Sequence, residues 1–138
     1  MPDSFLRTRI ARVFVALALL QGCNTPSIAA SPPEQGASWG AIASKSNWYG
    51  YAFNHPTRDA AERAARAQCD RTAGRSGTCE VRVQFDRSCA ALATGNFGEW
   101  GAASAASTAA AGKAAVAQCE GHLPTEPCKV VTSVCSGR

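Results

Sequence analysis

The stretch Thr57-Arg-Asp-Ala-Ala-Glu-Arg-Ala-Ala-Arg-Ala-Gln-Cys69 is written twice in this chain, returning as Ser107-Thr-Ala-Ala-Ala-Gly-Lys-Ala-Ala-Val-Ala-Gln-Cys119. Ala60, Ala61, Ala64, Ala65, Ala67, Gln68 and Cys69 align with Ala110, Ala111, Ala114, Ala115, Ala117, Gln118 and Cys119. In the first copy Ala60, Ala61, Ala64, Ala65 and Gln68 fall on one stripe at helical spacing, and Arg58, Asp59, Glu62, Arg63 and Arg66 face elsewhere. Thr57 and Ser107 stand where a helix N-cap belongs. A stripe of alanines lets a helix axis lie close to a sheet. The duplication therefore predicts two equivalent helices, each packed on strands supplied by its own half of the chain.

Those strands are legible on either side. Trp39-Gly-Ala-Ile-Ala43 is a short apolar strand, Ser44-Lys-Ser-Asn47 a polar turn, and Trp48-Tyr-Gly-Tyr-Ala-Phe53 an aromatic-rich return strand. After the first helix, Glu80-Val-Arg-Val-Gln-Phe85 alternates, which predicts Val81, Val83 and Phe85 inward with Arg82 and Gln84 outward. The second half repeats the plan with Cys89-Ala-Ala-Leu-Ala93, a turn at 94–98, Glu99-Trp-Gly-Ala-Ala103 and Lys129-Val-Val-Thr-Ser-Val134. Read alone, residues 102–119 would pass for one long helix. The repeat instead makes Ser104–Ala106 the joint that matches Asn54–Pro56. The expected fold is α+β: a duplicated ββαβ unit, residues 39–88 and 89–138, forming one mainly antiparallel sheet of about six strands with both helices on one face.

Because alanine-rich helices bring few large side chains, the core should be thin, and covalent links should carry part of the stability. Cysteine follows each helix copy again after a short loop, so Cys69 with Cys79 and Cys119 with Cys128 are equivalent pairs. Cys89 and Cys135 remain as a third bridge. The seventh cysteine, Cys23, sits in a different context. Residues 1–22 read as an export signal, with Arg7, Arg9 and Arg12 ahead of the apolar run Val13-Phe-Val-Ala-Leu-Ala-Leu-Leu20. Leu20-Gln21-Gly22-Cys23 looks like a lipobox that would lipidate Cys23, and Asn24 beside it resembles an outer-membrane retention signal. Ser27-Ile28-Ala29 offers the competing small-x-small cleavage pattern. The lipobox is favoured because Cys23 abuts the apolar run. Residues 23–38 then form a Pro- and Ser-containing tether that has too little apolar surface to fold. Six remaining cysteines in a small exported domain suit an oxidising compartment, expected to be the periplasm with an outer-membrane anchor, or else free periplasmic or secreted.

The Trp39-Gly-Ala-Ile-Ala start, the Tyr49-Gly-Tyr-Ala-Phe-Asn strand, the Ala-rich helix ending in Cys69 and Cys89-Ala-Ala-Leu-Ala together resemble the domain-of-unknown-function 4189 family. The likeness runs from about Trp39 to Cys135. It implies a small exported bacterial protein and brings no established catalytic residues with it. Gly112 and the near absence of charge in the second helix depart from the pattern.

Function classes narrow by what the chain lacks. The formal net charge is +4, and the export signal's own Arg7, Arg9, Arg12 and Asp3 account for part of it, leaving +2 for the rest. That is no nucleic-acid footprint. The only histidines are His55 and His122, every cysteine beyond residue 23 has a disulfide partner to take, and no Cys-x-x-Cys pair is present, so neither thiol catalysis nor a zinc site is expected. No cofactor loop appears. Two features point to binding. Trp48, Tyr49, Tyr51 and Phe53, with Phe97 and Trp100, would leave an aromatic set exposed if helices cover only one sheet face. Arg58, Arg63, Arg66, Arg71 and Arg75 form a basic strip, most simply read as a solvated helix face. The expectation is a non-enzymatic module of inhibitor or immunity type that occludes a protein partner such as a toxin or hydrolase, with Trp48, Tyr49, Tyr51 and Trp100 as contact candidates. The alternatives are a small wall-active enzyme using acids such as Glu62 or Glu99, and a passive envelope protein.

Overall fold

The computed structural model describes residues 36–122 and 127–137. The signal, Cys23 and nearly all of the tether lie outside them. Eight elements follow in order: β1 Trp39–Lys45, β2 Trp48–His55, α1 Arg58–Ala73, β3 Glu80–Asp86, β4 Cys89–Thr94, β5 Trp100–Ala105, α2 Thr108–His122 and β6 Lys129–Cys135. This is ββαβ twice. Both helices begin at their expected caps: the Thr57 hydroxyl accepts from the Ala60 N–H at 3.2 Å, and the Ser107 hydroxyl from the Ala110 N–H at 3.2 Å. Residues 104 and 105 end a strand, so the long Ala-rich run is broken where the repeat requires.

The six strands do not form one sheet. They form two antiparallel sheets of three, ordered β2-β1-β3 and β5-β4-β6. Alternation along β1 explains the split. Ala41 and Ala43 pack with Ala61, Ala65 and Cys69 of α1, while Ile42 on the opposite face joins Phe85, Ala90 and Leu92 in a separate cluster. The second half mirrors this, with Ala91 and Ala93 against Ala111, Ala115 and Cys119. Each sheet therefore has two apolar faces, one covered by its own helix and the other by the opposite sheet. The helices lie on the two outer faces of a four-layer stack rather than on one face of a single sheet. Burying Ile42 and Leu92 completely between the sheets contributes about 2–3 kcal/mol each.

Two glycines let the helices lie this close. A Cβ on Gly50 would sit 2.3 Å from the Cys69 nitrogen, and one on Gly101 would sit 2.2 Å from the Ala115 carbonyl oxygen. The expected alternation of β3 is corrected by a bulge. Ile42 pairs with Val83 and Ala43 with Val81, which leaves Arg82 as the extra residue. Val81 then faces α1, Val83 and Phe85 face the second sheet, and Arg82 turns inward instead of outward. Its guanidinium lies 4.3 Å from the centre of the Trp100 ring and donates to the Ser44 hydroxyl. Gln84 is not outward either. Its amide donates to Glu62 of α1 at 3.0 Å.

Cys69 is bonded to Cys79, Cys119 to Cys128, and Cys89 to Cys135. The first two pin each helix end to the start of the next strand. The third joins directly opposed residues of β4 and β6. A polar seam holds the two halves together at one end: the Ser136 hydroxyl accepts from the Asn54 N–H at 2.8 Å and lies 3.1 Å from the Ser38 hydroxyl.

Candidate functional site

The outer edge of β2 explains the glutamine in the repeated Ala-Gln-Cys. Gln68 extends from α1 and accepts the Tyr51 N–H at 2.9 Å, and Gln118 accepts the Ala102 N–H of β5 at 2.7 Å. One turn on, the Thr72 hydroxyl, which donates to the Cys69 carbonyl at 2.7 Å, stands 3.3 Å from the Tyr49 carbonyl, and His122 Nδ1 lies 3.0 Å from the Trp100 carbonyl. That carbonyl can only accept, so Nδ1 carries the proton. Each helix thus blocks an unpaired strand edge with side chains, which prevents pairing with another strand there. His122 has a structural role in this arrangement.

The aromatic candidates separate into three environments. Tyr49 and Trp100 occupy equivalent positions and are half-buried in the layer between the sheets, Trp100 between Arg82 and the edge of His122. The open sheet face that would have exposed them does not exist. Trp48, 48 % exposed, stands at the β1–β2 hairpin opposite Lys45. Tyr51 and Phe53, 36 % and 47 % exposed, stack with ring centres 6.4 Å apart near the end of β2 that faces β6. Phe53 was not singled out as a contact residue by the sequence, yet it has the more exposed ring of this pair. An open groove runs beside it, lined by Phe53, Asn54, Thr108, Ser133, Val134 and Cys135. The groove floor is the edge of β6; its walls are β2 and the first turn of α2. In the other repeat, the residues at the positions of Tyr51 and Phe53 are Ala102 and Ser104. The aromatic wall therefore belongs to one half only.

Most of the charged candidates pair with neighbours in their own half. Glu62 bridges Arg58 at 2.8 Å and Arg66 at 3.6 Å while accepting from Gln84, and Arg63 pairs with Asp59. Glu99 is buried within its own turn, where one carboxylate oxygen accepts the Phe97 N–H at 2.8 Å. A Cβ on Gly95 would meet that carboxylate, so a side chain there would have to displace it. Asp70 accepts the N–H groups of Cys79, Gly77 and Thr78 at 2.8–3.0 Å. Those donors, Cys79 first, hold its carboxyl below the ordinary value. Among the described residues, no group of three or more His, Cys, Asp or Glu side chains is placed to hold a metal ion, and no helix is long and apolar enough to cross a membrane.

The fold defines a small duplicated α+β protein closed by three disulfides, a framework suited to an oxidising, extracytoplasmic compartment. The model of the family described as "Domain of unknown function (DUF4189)" matches residues 39–135, and the chain belongs to that family. The NMR structure of Rv1813c from Mycobacterium tuberculosis is similar at 23% sequence identity, with 98% of each chain covered and a TM-score of 0.51, a likeness of fold alone. No curated protein matches the chain.

Proposed function

We propose that this is an exported, non-enzymatic binding protein, held at the periplasmic side of the outer membrane through lipid on Cys23, that acts by occluding a protein partner. The observation that carries the reading is the exposed Tyr51–Phe53 pair beside an open groove. Stacked, solvent-facing aromatic rings next to a concave surface are the side-chain type that dominates binding energy at protein interfaces. Restriction of the pair to one repeat argues for a role beyond the fold, since the other repeat makes the same fold with Ala102 and Ser104. Trp48 lies at the hairpin and serves as a secondary contact. Inhibition of a toxin or wall-degrading hydrolase is the specific form, because a rigid disulfide scaffold loses little entropy on docking.

The test is capture by the oxidised protein beginning at Ser31, compared with its Tyr51→Ala, Phe53→Ala double variant. The expected result is one stoichiometric partner whose hydrolytic activity falls on binding and which the double variant fails to retain. Retention by both proteins alike would remove the aromatic wall from the interface. Turnover of peptidoglycan by the protein alone, lost on changing Glu62 or Glu99, would replace this reading with the wall-active enzyme.

A further inference from the structure

The two repeats protect their strand edges unequally. The outer edges of β2 and β5 are blocked by Gln68 with Thr72 and by Gln118 with His122. The outer edges of β3 and β6 have no such helix side chains. On β3, Glu80 and Asp86 place charges at the two ends of the edge, and the bulge at Arg82 interrupts it. On β6 the sequence is Lys129-Val-Val-Thr-Ser-Val-Cys135, rich in β-branched residues, with a single charge at its start. A bulge at Val131 guards the first half. Thr132 to Cys135 is left flat and uncharged.

The direction of the free groups follows from the ladder. Ser136 donates its N–H to the Ser88 carbonyl at 2.9 Å, so the opposed pair Ser88 and Ser136 is hydrogen-bonded. Alternate pairs in an antiparallel ladder bond inward. Val134 and Thr132 therefore bond to β4, whereas Cys135 and Ser133 turn their N–H and C=O groups outward. Among the described residues nothing accepts from or donates to those outward groups. They open into the groove beside Phe53 and Thr108.

We propose that β6 receives an extended segment of a partner protein as a fourth strand of the β5-β4-β6 sheet, with Ser133 and Cys135 supplying the main-chain hydrogen bonds and Tyr51 and Phe53 covering its apolar side chains. This rests on the binding function above and gives it a mode. The groove selects the chemistry of the segment. Its lining carries no charge, which suits a run of β-branched residues. Lys129 lies at one end of β6, and at the other stands the amino end of α2, whose first turn has no acidic residue, with Arg87, ion-paired to Asp86 at 3.2 Å, beside Gly137. Carboxylates flanking the run are therefore favoured. A second copy of this chain fits less well. Antiparallel pairing centred on Thr132 would set Lys129 of each copy opposite Cys135 of the other, at the end of β6 where Arg87 lies.

The experiment uses the purified oxidised protein, processed as its host leaves it, and a capped synthetic peptide of about eight residues. The peptide alternates threonine and valine and has glutamate at each end. Binding is expected to slow exchange of the Ser133 and Cys135 amides about tenfold and to shift the ring resonances of Tyr51 and Phe53. A peptide with alternate amides N-methylated should not bind, and one ending in lysines should bind about fivefold more weakly. Ser133→Pro, which deletes an outward donor at a sheet edge, should abolish the effect. The proposal is overturned if the peptide fails to bind at about 1 mM, if the methylated peptide binds equally, or if the affected amides lie elsewhere. Slow exchange at Ser133 and Cys135 in a self-associated protein without peptide would make a second copy the occupant and overturn it too. Partner capture that depends on Tyr51 and Phe53 yet persists in Ser133→Pro would refute strand addition and leave the binding function standing.

Discussion

The two halves of this molecule share one backbone plan and close it by different means. In the first, Trp39 stands opposite Asp86 at the open end of the sheet and packs its ring against the alanine cluster under α1. In the second, the same two positions are Cys89 and Cys135, joined covalently. The helices differ in the same sense. α1 carries three i,i+4 ion pairs, whereas α2 has almost no charge and holds Gly112 in its interior, a residue that costs a helix about 1 kcal/mol relative to alanine. The half with less intrinsic helix stability has the additional crosslink. Covalent closure and side-chain packing are thus interchangeable at one structural position.

Breaking the crosslink should have the largest effect. Replacing both Cys89 and Cys135 by alanine opens a loop of 46 residues and is expected to lower unfolding free energy by about 4 kcal/mol. The Cys69–Cys79 and Cys119–Cys128 bridges close loops of 10 and 9, so their removal should cost about 2–3 kcal/mol each. Denaturant unfolding of the three double variants measures this, and equal losses would end the distinction between the third bridge and the other two. Next come the contacts the halves share. Gly50→Ala and Gly101→Ala each force a methyl into helix backbone and should cost about 2–3 kcal/mol, equally in both halves. A smaller loss at Gly101 would mean that α2 backs away more easily than α1.

Gln68→Ala and Gln118→Ala should each cost about 1 kcal/mol and speed exchange of one amide, Tyr51 in the first case and Ala102 in the second. If both amides keep their protection, the glutamines are not the edge guards. The smallest effect is confined to one half. The Asp70 carboxyl is held below its ordinary 3.8 by the N–H groups it accepts, so its stabilisation is complete above about that pH and fades as pH falls through the lower folded value. Exchange of the Gly77, Thr78 and Cys79 amides should accelerate below pH 3.8, relative to the loop's other amides. An unchanged pattern in Asp70→Asn would show that the carboxylate does not organise this loop.

The repeat made much of this fold readable, and the parts it left unread have physical causes. Helix starts, strand order within each unit and the joint at Ser104–Ala106 follow from aligning Ala-Gln-Cys with Ala-Gln-Cys. Alternation in β1 says that both faces are apolar, but an apolar face looks the same whether a helix or a second sheet covers it. One sheet and two were therefore indistinguishable from Ile42 and Leu92 alone. The bulge at Arg82 defeated the alternation of β3 because an extra residue inverts orientation without altering composition. Tyr49 and Trp100 looked like surface only while one sheet face was taken to be open. The grooved edge of β6 had one visible signal, the uncharged β-branched run Val130–Val134. Its meaning required knowing that β6 lies at an edge.

The seam of Ser38, Asn54 and Ser136 has a consequence for chain connectivity. Arg87 donates its N–H to the Ser38 carbonyl at 3.1 Å as Ser136 donates to Ser88, so each half ends in an equivalent bond, and Ser136 and Gly137 then reach across to Ser38 and Asn54 of the first half. A circularly permuted chain, joined from Gly137 to Gly36 through a short linker and opened between Arg87 and Ser88, would keep every layer in place. Two separate copies of one half, arranged about a twofold axis, would do the same. The present molecule holds two like units in one chain, and each has its own edge, its own closure and its own exposed face.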